Sequence, residues 1–84
     1  MKVAFRLESD FFNADKQNDY WDNPIFYEWD HECIPRKKDL IDLQGILPDG
    51  LLDDVIRELS WDVKYIRWES FKGAIVAVIY LQGA

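Results

Sequence analysis

The residues best suited to chemistry in this 84-residue chain form one short run, Asp30-His31-Glu32-Cys33. In an extended strand His31 and Cys33 share a face and could bind one metal ion, while Asp30 and Glu32 point the other way. A structural zinc site needs four protein ligands and a catalytic one three, so this pair requires help from a second chain or a distant acid. A weak metal or small-ligand site at His31 and Cys33 is one alternative. A buried Cys33 beside a solvated His31 is the simpler interpretation.

Other arrangements that support catalysis are missing from the sequence. The four glycines are scattered and form no phosphate-binding loop. A dyad of Cys33 and His31 would need a third, orienting group and an oxyanion hole, and the sequence indicates neither. The adjacent Asp53 and Asp54 are explained by the positively polarised start of a helix. We therefore predict no enzymatic activity, no cofactor and no tightly bound metal.

Negative charge is concentrated in one part of the chain. The net charge is −6, and residues 8–32 alone carry eight acidic side chains and one lysine. The only basic cluster, Arg36-Lys37-Lys38, has acids on either side and is too short to hold a phosphate backbone strongly. We expect no direct binding to nucleic acid.

The same acidic part is rich in aromatic residues, with seven of the chain's 13 between residues 11 and 29. Strand pairing can bury only one face of this stretch, which leaves rings exposed beside carboxylates, a surface suited to a basic protein partner. The alternative is that the rings fold inward as a satellite core. The candidate contact residues are Asp19, Tyr20, Trp21, Asp22, Trp29 and Asp30.

Two hypotheses for function follow from these surfaces. The first is a non-enzymatic protein-interaction or accessory module, whose acidic aromatic surface covers a basic, nucleic-acid-binding surface of its partner by charge imitation. The second is a homo-oligomeric structural domain, in which sheet edges or the apolar last strand pair across a two-fold axis.

The cellular compartment is indicated by what the chain lacks. Cys33 is the single cysteine, so no intrachain disulfide can form and a reducing compartment is expected. The first eight residues contain charged side chains throughout and lack the continuous apolar core of a signal peptide. The longest apolar run has eight residues, far fewer than a transmembrane helix needs. We predict a cytoplasmic protein that does not enter the membrane.

The pattern of apolar residues predicts the elements that position these side chains. Period-two alternation predicts strands at residues 3–7, 25–29 and 39–43. Residues 10–23, rich in Asn and Asp, are predicted as a long acidic-aromatic loop. A helix is predicted to open near Pro48-Asp49-Gly50, with Asp49 as its N-cap. Its apolar face comprises Leu51, Leu52, Val55, Ile56 and Leu59.

The last part of the chain reads as a strand hairpin. The buried face changes between Tyr65 and Ile66, which indicates a β-bulge or a strand buried on both sides. Residues 70–73 predict the hairpin loop, and residues 74–81 are apolar on both faces, which is typical of a central strand.

These elements predict an α+β fold. The order β-β-β-α-β-β gives one domain over residues 1–84, with a mostly antiparallel sheet of four to five strands packed on one helix. A barrel-like form of this sheet is compatible with the pattern.

One motif resembles a known group of proteins. The run Ile34-Pro35-Arg36-Lys37-Lys38-Asp39 precedes a helix, a strand bearing Trp68 and a closing apolar strand. It is similar to the Ile-Pro-Arg-x-x-Asp/Glu turn of a group of small uncharacterised bacterial proteins, over about residues 25–82. The resemblance implies a small mixed α/β or barrel-like sheet and implies no activity.

Overall fold

The computed structural model describes residues 1–30, 33–46 and 54–84, apart from the side chain of Val55. Within these ranges it contains five strands and three short helices. In chain order they are β1 (Lys2–Ser9), α1 (Ala14–Asp22), β2 (Ile25–Glu28), β3 (Leu40–Ile41), α2 (Leu43–Ile46), α3 (Asp54–Glu58), β4 (Trp61–Phe71) and β5 (Ala74–Gly83).

The five strands form one curled sheet, a half-barrel, in the order β2-β1-β5-β4-β3. The pair β1 and β5 is parallel, whereas the other three neighbouring pairs are antiparallel. This arrangement confirms the predicted α+β fold with a mostly antiparallel sheet and a barrel-like curl.

The strand β5 lies in the middle of the sheet, as its two apolar faces predict. Ala77, Ile79 and Leu81 are buried on one face, and Val78 and Tyr80 are buried on the other. Because neither face of β5 meets water from Val76 to Leu81, side chains from other elements must cover this part of the sheet on both sides.

The hairpin of β4 and β5 also agrees with the sequence. The register shifts between Val63 and Tyr65, so the predicted bulge is present but lies before Tyr65 rather than after it, and Tyr65 faces the side of Tyr80 instead of that of Val63. Phe71 pairs with Ala74, and the two turn residues both have positive φ, 51° at Lys72 and 83° at Gly73. Two successive positive φ angles are the signature of a type I′ turn, whose twist matches that of the flanking strands.

The predicted loop over residues 10–23 is wrong for most of its length, because residues 14–22 form α1. The side chain of Asn13 caps this helix by accepting a hydrogen bond from the backbone N–H of Lys16 at 2.8 Å. None of the nine residues of α1 is buried. The helix therefore lacks the apolar periodicity by which a sequence usually reveals one.

The third strand is shorter than predicted. It ends at Ile41, because the carboxylate of Asp42 accepts a hydrogen bond from the backbone N–H of Gly45 at 3.2 Å and begins the helical turn α2. That turn directs Leu43 into the core, where only 2% of its surface is exposed.

The predicted amphipathic helix is represented by α3. Its Ile56 is 1% exposed, and the backbone carbonyl of Ile56 accepts a hydrogen bond from the indole N–H of Trp61 at 3.0 Å. The predicted N-cap Asp49 and the apolar residues Leu51 and Leu52 lie outside the described residues.

Replacing Ile56 by aspartate is expected to unfold the domain or to lower its free energy of unfolding by about 3 kcal/mol or more, because the charge would be buried without a partner. Urea denaturation followed by circular dichroism measures this change. The matched control is Glu58→Ala at an exposed position of the same helix, expected within about 0.5 kcal/mol of the wild type. A cooperative Ile56→Asp variant of wild-type stability would contradict burial of this face.

The type I′ turn provides a second stability prediction. Gly73→Ala is expected to cost about 1 kcal/mol, because a Cβ is disfavoured at a φ of 83° although no atom lies near enough to clash with it. Lys72→Asn is expected to stabilise the hairpin by a few tenths of a kcal/mol, since Asn tolerates positive φ better than Lys. Thermal unfolding of both variants measures the two changes in stability, which are expected to have opposite signs. Equal shifts in the same direction would contradict this turn type.

Candidate functional site

The exposed side of α1 carries three aspartates in one row. Asp15, Asp19 and Asp22 follow the spacing i, i+4, i+7, which places them on one side of a helix, and all three are exposed. We call this row the acidic face. It is the most regular arrangement of carboxylates on the helix and includes two of the predicted contact residues.

A glutamine fixes α1 against the end of β1. The side-chain amide N–H of Gln17 donates to the carbonyl of Leu7 at 2.8 Å, and its carbonyl oxygen accepts from the backbone N–H of Ser9 at 3.1 Å. These two bonds satisfy backbone groups on the side of β1 where its pairing with β2 has ended, while its other side pairs with β5. The helix is thus positioned by directional polar contacts rather than by an apolar stripe.

The carboxyl end of α1 is held by Arg6 of β1. The guanidinium donates to the backbone carbonyl of Trp21 and lies 5.9 Å from the centre of the Trp21 ring. The last turn of α1 has no basic residue of its own, so Arg6 supplies the positive charge that a helix C-terminus favours.

Arg6 also belongs to a polar cluster on the second face of the sheet. It forms an ion pair with Glu69 at 3.4 Å, and Glu69 accepts a hydrogen bond from the hydroxyl of Tyr80. The Tyr80 ring stacks on Tyr65 at 4.4 Å and meets the Trp21 ring edge-on at 5.4 Å. The cluster therefore links β1, β4, β5 and α1.

Tyr80 keeps its proton in this environment. Burial raises its pKa above the ordinary value of 10.0, and the hydrogen bond to the Glu69 carboxylate, together with the negative charge of that group, raises it further. A tyrosine held neutral near pH 7 donates a hydrogen bond but does not act as a base. The cluster is suited to holding the structure together rather than to proton transfer.

The structure divides the predicted contact aromatics between the core and the surface. Tyr20 stacks on Phe12 at 5.2 Å, and Phe12 lies 6.0 Å from the ring of Trp61 in the main core. Trp21, which precedes Asp22 in the last turn of α1, is 36% exposed. The aromatics that fold inward therefore join the main core instead of forming a satellite core.

Trp29 is not a surface residue, which corrects its proposed contact role. Only 8% of it is exposed, because its ring packs in the core and its indole N–H donates to the carbonyl of Cys33 at 2.9 Å. Asp30 is exposed but follows the end of β2 remote from α1, since β2 pairs Ile25 with Phe5 and Glu28 with Lys2. The predicted contact residues Asp19 to Asp22 therefore lie together on α1, whereas Asp30 lies at the far end of β2.

The metal alternative gains no support from the described residues. Cys33 is exposed, contrary to the expectation of a buried thiol, and His31 lies outside the described residues. The backbone carbonyl of Cys33 accepts a hydrogen bond from the indole N–H of Trp29, while Cys33 itself lies at the surface. Among residues 1–30, 33–46 and 54–84, no group of three or more His, Cys, Asp or Glu side chains is placed to hold a metal ion.

An open depression of about 600 Å³ lies between α1 and the end of β1. Its wall includes Glu8, Asp10, Asn18 and Trp21. Lys64 already binds the carboxylate of Glu8 at 3.1 Å. The remaining lining joins an exposed acid to an aromatic ring, which matches the chemistry of a lysine or arginine side chain.

No protein-family model matches this chain, and neither the curated proteins nor the solved structures compared with it contain a significant match. In the described ranges, no helix has the length and apolar character needed to cross a membrane. The candidate site is therefore interpreted from its own geometry.

Sequence reasoning missed the residues that position the site, namely Arg6, Gln17 and Glu69. The sequence does contain a signal for α1, because Asn13 stands three residues before Lys16, the spacing of an N-cap, and the three aspartates follow a helical period. Arg6 and Glu69 carry no such signal. They are 63 residues apart and meet only because β5 brings β1 and β4 together.

The raised pKa of Tyr80 predicts a loss of stability at alkaline pH. In the unfolded chain Tyr80 ionises near 10.0, whereas the folded protein retains the proton, so its contribution is complete below this pH and is lost as pH rises through the folded pKa. The difference in free energy of unfolding between wild type and Tyr80→Phe should be constant below pH 10 and shrink above it. Urea denaturation over this pH range measures the difference. A difference independent of pH would contradict the assignment.

Proposed function

We propose that this domain is a non-catalytic interaction module that binds a basic protein partner through the acidic face of α1 and the adjoining depression. The observation that carries the proposal is the exposed row Asp15, Asp19 and Asp22, together with the partly exposed ring of Trp21 on another side of the same helix. Carboxylates attract a basic surface over distance, while an aromatic ring provides a short-range anchor.

The acidic face contributes little to the stability of the helix that carries it, apart from the carboxylate of Asp19, which accepts a hydrogen bond from the side-chain amide of Asn23 at 3.0 Å. Asp15 and Asp19 repel each other at the spacing i, i+4, and Asp22 lies at the negatively polarised end of the helix dipole. Only Asp15, in the first turn, suits the dipole. Side chains that oppose local stability yet remain exposed in a row are more readily explained by binding than by folding.

The depression gives the proposed partner a specific contact. A lysine or arginine entering it would meet the exposed carboxylate of Asp10 and the ring of Trp21, while the acidic face lies on another side of the same helix. The bonds from Gln17 and Arg6 keep α1 in place, so little ordering is required when the partner binds. A surface preorganised in this way favours a rapid, electrostatically assisted association.

The decisive experiment removes the negative charge of the acidic face and keeps the size and shape of its side chains. Asp15→Asn, Asp19→Asn and Asp22→Asn are combined in one variant, and partners are captured from the cell that makes the protein with wild type and variant in parallel. With the captured partner, the variant is expected to associate about tenfold or more slowly at low salt and to lose most of the salt dependence of the association rate. Surface plasmon resonance at several salt concentrations measures both quantities.

The control has the same change in charge elsewhere. Asp30→Asn, Asp54→Asn and Glu58→Gln neutralise three exposed acids away from α1 and should preserve the association rate within about twofold. The α1 variant should unfold close to the wild-type temperature, because the repulsion that it relieves between Asp15 and Asp19 offsets the lost dipole interaction of Asp15 and the weakened hydrogen bond from Asn23 to residue 19. Equal losses of binding in both triple variants would show an effect of net charge alone and would overturn the acidic face as the site.

A further inference from the structure

Only a small part of the outer edge of β4 is paired with the neighbouring strand β3. Of the eleven residues of β4, only Trp61 and Asp62 pair with β3, and Val63 adds backbone hydrogen bonds to Lys38 and Asp39. Within the described part of the chain, no strand pairs with that edge from Tyr65 to Phe71. Backbone donors and acceptors along such an edge are a template for another strand.

The seven residues of this free edge read almost symmetrically about their midpoint. The sequence is Tyr65-Ile66-Arg67-Trp68-Glu69-Ser70-Phe71, with an aromatic residue at each end, opposite charges on either side of the centre and tryptophan in the middle. An antiparallel strand pair about a two-fold axis brings each residue opposite the one at the same distance from the centre. A segment with complementary residues at equal distances is therefore suited to pairing with itself.

We infer that the free edge of β4 binds the same edge of a second copy of this chain, antiparallel, with the two-fold axis at Trp68. In this register Arg67 of each copy lies opposite Glu69 of the other, whose carboxylate also contacts Arg6 and Tyr80 of its own chain. Tyr65 lies opposite Phe71, and all four residues are on one side of the joined sheet. The two Trp68 rings meet on the other side. Opposite charges and aromatic rings in directly facing positions are favourable cross-strand pairs.

The neighbouring registers are less favourable. An axis at Arg67 would oppose two arginines, and an axis at Glu69 would oppose two glutamates, which destabilises the pairing. With an axis at Ile66, the strand of the second copy would have to pair with Val63. The outer backbone groups of Val63 already form hydrogen bonds with Lys38 and Asp39. The register centred on Trp68 uses the whole free edge and avoids both problems.

Exposed apolar surface supports the same pairing. Trp68 is 60% exposed, and Ile75 on the adjacent strand, diagonal to it on the same side of the sheet, is 74% exposed. Arg67 is also exposed and able to meet a carboxylate. This surface belongs to β4 and β5 and excludes the acidic face of α1, so the two proposals can fail independently.

The first test is sedimentation velocity of the whole chain over a wide concentration range. Wild type is expected to form a dimer that dissociates on dilution. Arg67→Glu should raise the dissociation constant about tenfold or more, because both symmetric pairs change from attraction to repulsion, whereas Arg67→Lys should keep it within about threefold. A wild type that stays monomeric at its highest soluble concentration, or a dimer indifferent to Arg67→Glu, would overturn the inference.

Two further measurements locate the interface. In a Cys33→Ser background, Trp68→Cys treated with diamide should form a disulfide-linked dimer, since facing residues of an antiparallel pair lie within disulfide reach, whereas the exposed control Ile75→Cys should not. Hydrogen exchange of the wild type, which needs no substitution, should show amide protection of residues 65–71 that increases with protein concentration. Concentration-dependent protection confined to any other segment would overturn the proposed edge.

Discussion

The main physical constraint in this fold is that β5 must be covered on both faces. Its side chains are apolar on either side, and it lies between a parallel neighbour, β1, and an antiparallel neighbour, β4. A single short helix can cover only one face of a sheet. The second face of this small domain must therefore be covered by side chains of the sheet itself and of the segment between β1 and β2.

That second covering layer is partly polar, and this decides where α1 lies. Arg6 projects from β1 onto the face of β5 that carries Tyr80, where it meets Glu69 from β4 and the carbonyl of Trp21 from α1. The guanidinium is largely enclosed, and its ion pair, its hydrogen bond and the neighbouring rings compensate for part of its lost hydration, although its Nε atom is buried without a hydrogen-bond partner among the described residues. The same residue that completes the second face thus holds the helix whose exposed side carries the acidic face.

The two proposed binding surfaces differ in physical character. The acidic face acts through charge, which extends over roughly a Debye length of about 8 to 10 Å and weakens as salt is added. The free edge of β4 acts through backbone hydrogen bonds and facing side chains, which require contact and a defined register. A domain of this size can therefore offer one surface for recognition of another protein and a different one for association with itself.

The sequence by itself determined the elements whose side chains alternate or repeat regularly. Period-two patterns predicted β1 and the bulged β4, a continuous apolar run predicted the central β5, and the glycine after Lys72 indicated the hairpin turn. Burial on one face and burial on both faces each produce a characteristic local pattern of apolar residues. It also indicated a concentration of acids and aromatics near α1.

Only the tertiary structure decided which of these residues belong to the surface. Trp21 and Trp29 are eight residues apart and similar in sequence context, yet one is partly exposed on α1 and the other is buried. The helix α1 itself depends on Gln17 and Arg6, whose partners lie on β1 and across the sheet. Such contacts join residues distant in sequence, so no local sequence pattern indicates them. They form only when β1, β5 and β4 lie side by side.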